Sequence, residues 1–462
     1  MRIKPTMSTP SQASADYFLT DTRTGVIIRV IQSVSPDNVI YVLKTESESL
    51  YYAQLDYREY PDRNSVLLMA FESGLSVTMT GDASHNITDI SAALPGAPRL
   101  PSIDATWRLL EDVRTGGIAQ IEDADTLASM AYIVRSTDGS HHCAQIRPRA
   151  HGYRNALLIA AFRASLPVTV AGDADYYLTA LSVGSKAFGP HLSAAPAFIA
   201  STPRSGVIDE ITDKEVSDTL IVIVKTPDGT RYHAQIDRQE HANRNNLLLL
   251  GLKTGLPVTV NGDKEHYVTG IAVGALSAPA APSLVLFGAK LTETRSGMLV
   301  RIIDSDSLDN IRYVLRTADG AHYCAQMNTV DHPSRHQMLM SALAKSLPVS
   351  ICADDASTIT GVAIGLPRAG SPTFHCGATR FATSETGNII RVIDSDLLGA
   401  GAVYVLQTPD GNEWCVPPLA HTEPARGELL TVALTSGLTV TVHGSSAENM
   451  PYGAGSVMVE RP

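Results

Sequence analysis

The feature that most constrains the fold of this chain is a pattern that returns about every 90 residues. In each copy a small residue and a glycine open a strand-like run, as in "TRTGVIIRVI" and "TRSGMLVRIID". The glycines are Gly25, Gly116, Gly206, Gly297 and Gly387, at spacings of 91, 90, 91 and 90 residues. A fixed spacing of this kind is the signature of repeated structural units. The chain of 462 residues therefore predicts five copies of one unit.

The rest of each copy keeps the same order. A second strand of the type "RYVLRT" runs in four copies into Asp-Gly, a strong hairpin signal in which both turn residues need positive φ. A third strand such as "YHAQI" precedes an apolar helix, and the helix is followed by "VTV", by "GD" in three copies, and by a last strand. The small residues predicted to end the helices in the left-handed conformation are Gly74, Ser165, Gly255, Ser346 and Gly437.

Linkers rich in Ala, Pro, Ser and Gly, such as "GALSAPAAPSL", divide the copies. The predicted organisation is a polar tail (1–15) followed by repeat 1 (16–95), repeat 2 (104–186), repeat 3 (196–276), repeat 4 (286–366) and repeat 5 (376–462).

The order of three strands, a helix and two more strands is that of the OB-fold, a small Greek-key barrel. In the helix of repeat 3, leucines at 247–250 and 252 cover nearly the whole circumference, so this helix needs apolar partners on both sides. Helices of adjacent repeats are the simplest partners. We therefore predict a mainly β chain with one short helix per repeat, in which five tandem OB-fold-like barrels close into a pseudo-fivefold ring.

The segments "HYCAQ", "RHQMLMSALAKSLPVSI" and "ITGVAIG", with their counterparts in the other repeats, resemble the receptor-binding B subunits of the pertussis-like, subtilase and typhoid bacterial toxins. Those subunits are OB-folds that assemble as five chains with their helices around a central axis. The resemblance implies a glycan or protein receptor as partner, and a separate catalytic or docking polypeptide as a further one.

Two features depart from those B subunits, which are separate secreted chains with signal peptides and an internal disulfide. Here five copies share one chain, and no apolar stretch follows the early basic residues of "MRIKPTMSTPSQASADYF". The expectation is a monomer with internal pseudo-symmetry that is cytoplasmic, or exported by a route that uses no N-terminal signal peptide.

Basic residues recur at two positions of the repeat. The first lies on the second strand, and the resemblance implies that it contacts an anionic glycan; a solvated strand face is the alternative. Its residues are Lys44, Arg135, Lys225 and Arg316. The second lies at the helix start, where the helix dipole disfavours a cation and an anionic partner is needed. An ion pair with an aspartate of the "IDSD" or "TGD" turns, within a repeat or across a seam, is favoured over a bound ligand for Arg63, Arg154, Arg244, Arg335 and Arg426.

The five cysteines do not form a disulfide framework. Cys143, Cys324 and Cys415 fall at one position of the third strand in different repeats, which favours unpaired thiols. Pairings of Cys324 with Cys352 and of Cys376 with Cys415 remain open.

Nothing in the sequence has the pattern of a catalytic site. There is no nucleophile elbow, no phosphate-binding glycine loop and no paired-cysteine metal spacing, so we predict a protein that is not an enzyme and binds neither cofactor nor metal. The histidines at 151, 241 and 332 are predicted to have turn roles. The net charge of −11 disfavours a nucleic-acid partner, and no segment has the roughly 18 apolar residues of a membrane span, which predicts no membrane insertion.

The function predicted from these features is non-enzymatic, multivalent binding of glycans or of a protein receptor. The first alternative is an intracellular, ring-shaped scaffold, which is favoured by divergence at one helix position, occupied by Glu72, Arg163, Lys253, Ala344 and Thr435. The second alternative, an OB-type binder of single-stranded nucleic acid, is disfavoured by the 6% aromatic content and the negative charge.

Overall fold

The structure is a computed structural model, and it describes residues 16–32, 38–94, 108–110, 112–125, 129–184, 197–214, 219–237, 239–274, 288–366, 370–375, 384–398, 402–416, 424–444 and 454–461.

The repeats predicted from sequence share one order of elements. Repeat 1 contains β1 (Asp16–Phe18), β2 (Thr22–Gln32), β3 (Asn38–Thr45), β4 (Leu50–Asp56), α1 (Pro61–Ser73), β5 (Ser76–Gly81) and β6 (Ile87–Ala93). Repeat 2 contains β7 (Arg108–Leu109), β8 (Val113–Ala124), β9 (Met130–Ser136), β10 (His141–Ile146), α2 (Gly152–Ala164), β11 (Pro167–Gly172) and β12 (Leu178–Gly184). Repeat 3 contains β13 (Ala197–Phe198), β14 (Arg204–Lys214), β15 (Thr219–Lys225), β16 (Arg231–Asp237), α3 (Ala242–Thr254), β17 (Val258–Gly262) and β18 (Val268–Val273).

The last two repeats follow the same order. Repeat 4 contains β19 (Ala289–Lys290), β20 (Arg295–Ser305), β21 (Ile311–Arg316), β22 (His322–Met327), α4 (Pro333–Lys345), β23 (Pro348–Ala353) and β24 (Ile359–Gly365). The described part of repeat 5 contains β25 (Ser384–Ser395), β26 (Val403–Gln407), β27 (Glu413–Val416), α5 (Pro424–Ser436), β28 (Thr439–Gly444) and β29 (Ala454–Glu460).

Strand pairing joins the repeats into one closed barrel. Each repeat contributes its long strand and the two strands that follow its helix, and the circuit among the described residues has fifteen strands. Its order is β2, β5, β6, β8, β11, β12, β14, β17, β18, β20, β23, β24, β25, β28 and β29, and β29 pairs with β2. The prediction of five separate OB-fold barrels closed into a pseudo-fivefold ring is therefore wrong.

The physical reason lies in the long strand that opens each repeat. In β8, residues 113–117 pair with β11 of the same repeat, whereas residues 120–124 pair with β6 of the preceding repeat. β8 also pairs with β9, and a register shift in that pairing, between Ile118 and Gln120, lies at the boundary between the two halves. A strand of 12 residues thus satisfies hydrogen bonds in two repeats. Closure leaves none of the fifteen strands with a free edge in the circuit.

The recurring glycines lie where two strands approach each other most closely. A Cβ at Gly25 would stand 2.1 Å from the carbonyl oxygen of Lys44, and one at Gly116 would stand 2.0 Å from that of Arg135. The contact recurs at Gly206, Gly297 and Gly387. The repeated small-residue and glycine motif is therefore required by steric exclusion.

The Asp-Gly hairpins form, but with a different turn from the one predicted. Only the glycine has positive φ, for example 85° at Gly139. The Asp138 carboxylate instead accepts a hydrogen bond of 2.8 Å from the backbone N–H of Ser140. The prediction of positive φ at both turn residues is wrong, because the aspartate side chain stabilises the loop from an ordinary backbone conformation.

The helices end where the sequence predicts. Gly74 and Gly255 have left-handed φ values of 67° and 66°, and Ser165 and Ser346 take the same conformation. In α3, Leu247, Leu248 and Leu250 are buried, since the helix packs on β14 and β18 as well as on α2 and α4. Among the described residues, no helix has the length and apolar character needed to cross a membrane.

Candidate functional site: aromatic patches on the lead-in strands

Four of the arginines at the helix starts form ion pairs across the seams between repeats. In repeats 1 to 4 the guanidinium also donates to a backbone carbonyl of its own repeat, as Arg154 Nη1 does to Leu178 O at 2.6 Å. The pairs are Arg63 with Asp123 and Asp125, Arg154 with Asp213, Arg244 with Asp304 and Asp306, and Arg335 with Asp394 and Asp396. In each case the aspartate belongs to the next repeat. These arginines are therefore buried parts of the seams.

The seam between repeats 5 and 1 has a different composition. Arg426 is fully buried, like the other four arginines. The position equivalent to Asp123 is occupied by Gln32 on β2, which is also fully buried. A neutral amide therefore replaces the first aspartate of the other seams.

The residues predicted to bind an anionic glycan are not brought together. Lys44, Arg135, Lys225 and Arg316 lie near the ends of β3, β9, β15 and β21, in four different repeats. Lys44 forms a surface ion pair with Glu48, and the other three side chains are exposed. Each lies on a hairpin whose other strand carries aromatic or histidine residues. Lys225, for example, lies opposite Arg231 in the pairing of β15 with β16, and Tyr232 follows Arg231.

Two exposed aromatic clusters that were not predicted from the sequence lie beside two of these hairpins, in repeats 1 and 3. In repeat 1 the ring of Phe18 stacks on that of His85 at 4.5 Å between centroids and lies 6.4 Å from Tyr52. Phe18 is nevertheless 59% exposed. We call Phe18, Tyr52 and His85 the Phe18 patch.

Repeat 3 has the same arrangement. Phe198 stacks on His266 at 4.3 Å with an interplanar angle of 18°, and it lies edge-on to His233 at 5.9 Å. Phe198 is 57% exposed. Burial and the nearby Arg231 lower the pKa of His233, which favours the neutral and less strongly hydrated imidazole. We call Phe198, His233 and His266 the Phe198 patch.

The histidine of each patch is held by a turn that the "GD" motif builds. The Asp82 carboxylate accepts hydrogen bonds from the backbone N–H groups of Ser84 and Asn86, at 2.7 and 2.9 Å. These bonds hold His85 at a φ of 67°, a conformation that is costly for a residue other than glycine. Asp263 holds His266 at a φ of 70° in the same way. The turn thus fixes the backbone that carries each histidine.

A second ring lies on the opposite face of the same strands. Arg23 lies over the ring of Tyr51 at 5.1 Å, and Tyr17 stacks on Tyr51 at 5.4 Å. In repeat 3, Arg204 lies 4.4 Å above Tyr232. Each patch thus has aromatic rings on one face of the strands. On the opposite face, a guanidinium provides hydrogen-bond donors.

Among the first four repeats, the Phe–His patches occur in repeats 1 and 3. Repeat 4 has Lys290 and Ser357 at the positions of the phenylalanine and the histidine. The sequence signal that could have found the patches is the alternation of "GDASH" and "GDKEH" with "GDADY" and "ADDAS", read together with the lead-in segments "DYFL" and "AFIA".

We also searched the part of the chain that the structure describes for a metal site and for an activated serine. It contains no group of three or more His, Cys, Asp or Glu residues placed to bind a metal. Ser140 contacts His142 Nε2 at 2.9 Å, but Asp138 binds the Ser140 hydroxyl rather than the imidazole. A catalytic triad requires the carboxylate on the histidine, so this is not the geometry of an activated serine.

The cysteines differ from expectation in one repeat. Cys143, Cys324 and Cys352 are free thiols, so the alternative pairing of Cys324 with Cys352 is wrong. Cys415 is disulfide-bonded, which corrects its assignment as an unpaired strand residue. Cys376, its proposed partner, lies outside the described residues.

Comparisons with known proteins add little to this geometry. No protein-family model matches the chain, and no curated protein matches it. Among solved structures, a porin-like protein from Bacteroides uniformis ATCC 8492 is 8% identical over 77% of this chain and 94% of that chain, with a TM-score of 0.11. A score this low carries no argument about fold or function.

Proposed function

We propose that the protein is a non-enzymatic glycan-binding protein that engages its ligand through the Phe18 and Phe198 patches. The observation that carries the proposal is the pair of exposed phenylalanines, each stacked on a histidine that a strained turn holds in place. The apolar C–H face of a sugar ring packs well against a flat aromatic ring, and this packing needs little reorganisation when the ring is already fixed.

Exposure of these rings also needs a reason. Single exposed apolar residues are common on protein surfaces, but exposed rings that cluster into one patch are a feature of interaction sites. The two patches occupy equivalent positions in repeats 1 and 3, whereas repeat 4 has a lysine and a serine there. The guanidinium groups of Arg23 and Arg204 and the amine groups of Lys44 and Lys225 lie on the same hairpins and suit an anionic sugar.

Two equivalent patches on one rigid barrel support bivalent binding. Linked sites gain avidity of about 10²- to 10⁴-fold over one site when both can engage the same glycan surface. The single variants Phe18→Ala and Phe198→Ala are therefore expected to lose most of the avidity for a surface that displays many glycans. They should keep one intact site for a soluble glycan.

The experiment is a glycan array followed by titration calorimetry with the best ligand. Wild type, the two single variants and the double variant are compared with Val330→Ala, which removes an exposed apolar side chain far from either hairpin in sequence. We expect the double variant to lose binding at both patches and Val330→Ala to bind like wild type. An array without any binder, or a double variant with unchanged affinity, contradicts the proposal.

A further inference from the structure

The C-terminal ends of α1, α2, α3 and α4 bring four charged side chains together. Glu72, at the end of α1, forms an ion pair with Arg163, at the end of the neighbouring α2. The same carboxylate lies 3.3 Å from Nζ of Lys345, at the end of α4. Since α5 lies between α4 and α1 in the closed circuit, this contact reaches across the barrel axis. We call Glu72, Arg163, Lys253 and Lys345 the axial cluster.

The axial cluster has a surplus of positive charge. Three helices provide one cation each, and α1 provides the single carboxylate, so the four side chains together carry a charge of +2. Ala344, next to Lys345 on α4, and Thr435, on α5, occupy the position of Glu72. Thr435 directs its hydroxyl to the backbone carbonyl of Thr431 at 3.0 Å.

The carboxylate does not use up the hydrogen-bonding capacity of these cations. Glu72 is only 11% exposed, whereas Arg163 and Lys345 are each 43% exposed despite their contacts with it. A guanidinium has five N–H donors and an ammonium has three, so part of this donor set remains open to solvent. Burial lowers the pKa of Lys253, and the nearby Arg163 and Lys345 lower it further, with Glu72 acting in the opposite direction.

The cations are partly favoured by the helices themselves. The C-terminal end of a helix carries a partial negative charge, which stabilises a nearby cation by a modest amount that falls off within one turn. Arg163, Lys253 and Lys345 all lie in the last turn of their helices. This effect explains why cations are tolerated there. It does not explain why three of them converge on one another, which costs repulsion that a bound anion would relieve.

We propose that the axial cluster binds a small oxyanion with two or more negative charges, of the phosphate class. Such an anion offers several acceptor oxygens to donors that converge from α2, α3 and α4. Glu72 then acts as a competitor, since it occupies donors that the oxyanion needs. This assignment is independent of the aromatic patches.

The test is titration calorimetry at low ionic strength with inorganic pyrophosphate, with phenyl phosphate in a second arm to separate a free oxyanion from a phosphate ester. We expect saturable binding of one anion per chain. Arg163→Gln and Lys253→Met are each expected to weaken binding by about tenfold or more, the typical loss for a charge-assisted hydrogen bond. Glu72→Gln is expected to strengthen binding by about tenfold, because it frees two cations.

Two controls keep the result interpretable. Lys264→Met removes a cation from an exposed turn, where Lys264 forms an ion pair with its neighbour Glu265, and is expected to leave the affinity unchanged. Thermal unfolding without anion shows whether each variant folds. The proposal is overturned if neither wild type nor Glu72→Gln gives saturable heat, or if Arg163→Gln and Lys253→Met bind as wild type does.

Discussion

The stability of the barrel is expected to depend on pH through one buried carboxyl group, Glu122 on β8. Glu122 lies at the seam between repeats 1 and 2, only 5% exposed, and Oε1 accepts a hydrogen bond of 2.6 Å from Gln120 Nε2. The equivalent residues Ile303 and Ile393 lie in small apolar clusters in repeats 4 and 5. Repeat 2 thus places an ionisable group where those repeats bury an isoleucine.

Burial raises the pKa of Glu122 to about 7, and the hydrogen bond from Gln120 opposes this effect only partly. Below the ordinary pKa near 4.5 the carboxyl is protonated in both the folded and the unfolded chain, so its ionisation costs the folded state nothing. Between pH 4.5 and about 7 the unfolded chain ionises first, and stability falls as the pH rises. A separation of about 2.5 pH units corresponds to a loss of about 3 kcal/mol, which is complete above pH 7.

The substitution that tests this is Glu122→Gln, because the amide oxygen can still accept the hydrogen bond from Gln120 but cannot ionise. Urea unfolding of wild type and variant is measured from pH 5 to pH 8, and the midpoints are compared at constant slope. We expect the variant to be more stable than wild type at pH 8, with the difference shrinking towards pH 5. Glu265→Gln, on an exposed turn, is the matched control. Parallel pH profiles for wild type and Glu122→Gln would refute the reasoning.

Two further substitutions test the seams and the strand crossings. Arg154→Met leaves the fully buried carboxylate of Asp213 without its cation and is expected to cost about 3–5 kcal/mol in urea unfolding, whereas Lys264→Met is expected to cost under about 1 kcal/mol. Gly116→Ala places a Cβ 2.0 Å from a backbone carbonyl oxygen and is expected to lower the unfolding temperature strongly or prevent folding. Gly117→Ala, with nothing within 4 Å of the new Cβ, is expected to fold normally; equal effects at the two glycines would contradict the steric account.

The elements inside each repeat could be predicted from the sequence because their signals are local. The small residues that end the helices, such as Gly74 and Ser165, fall where the structure has left-handed backbone. The leucines around α3 likewise predicted a helix that is covered on both sides. In the structure, α3 packs against barrel strands and against the neighbouring helices. The helix ends and the apolar surface of α3 depend on residues that are close in sequence, so periodicity and turn residues were enough to predict them.

The barrel could not be predicted in the same way, because edge pairing between repeats has no local motif. The pairing of β6 with β8 joins Ser91 to Glu122, and neither residue type indicates a partner strand. The same limit applied to the aromatic patches. Phe18 and His85 are 67 residues apart in sequence, and only the parallel pairing of β1 with β4 brings the lead-in strand beside the turn that holds the histidine.

The fusion of the five repeats into one chain allows features that identical subunits cannot have. A closed assembly of identical chains repeats each residue at every symmetry-related position. One carboxylate, Glu72, facing cations from three other helices is then impossible, as is a Phe–His patch in repeats 1 and 3 but not in repeat 4. The closing seam is also distinct: Arg29 pairs with Glu460, 431 residues later, and Arg461 donates to the carbonyl of Phe71 at the end of α1. Divergence among the repeats therefore places the proposed binding groups on particular repeats, while the shared strands and seam arginines preserve the barrel.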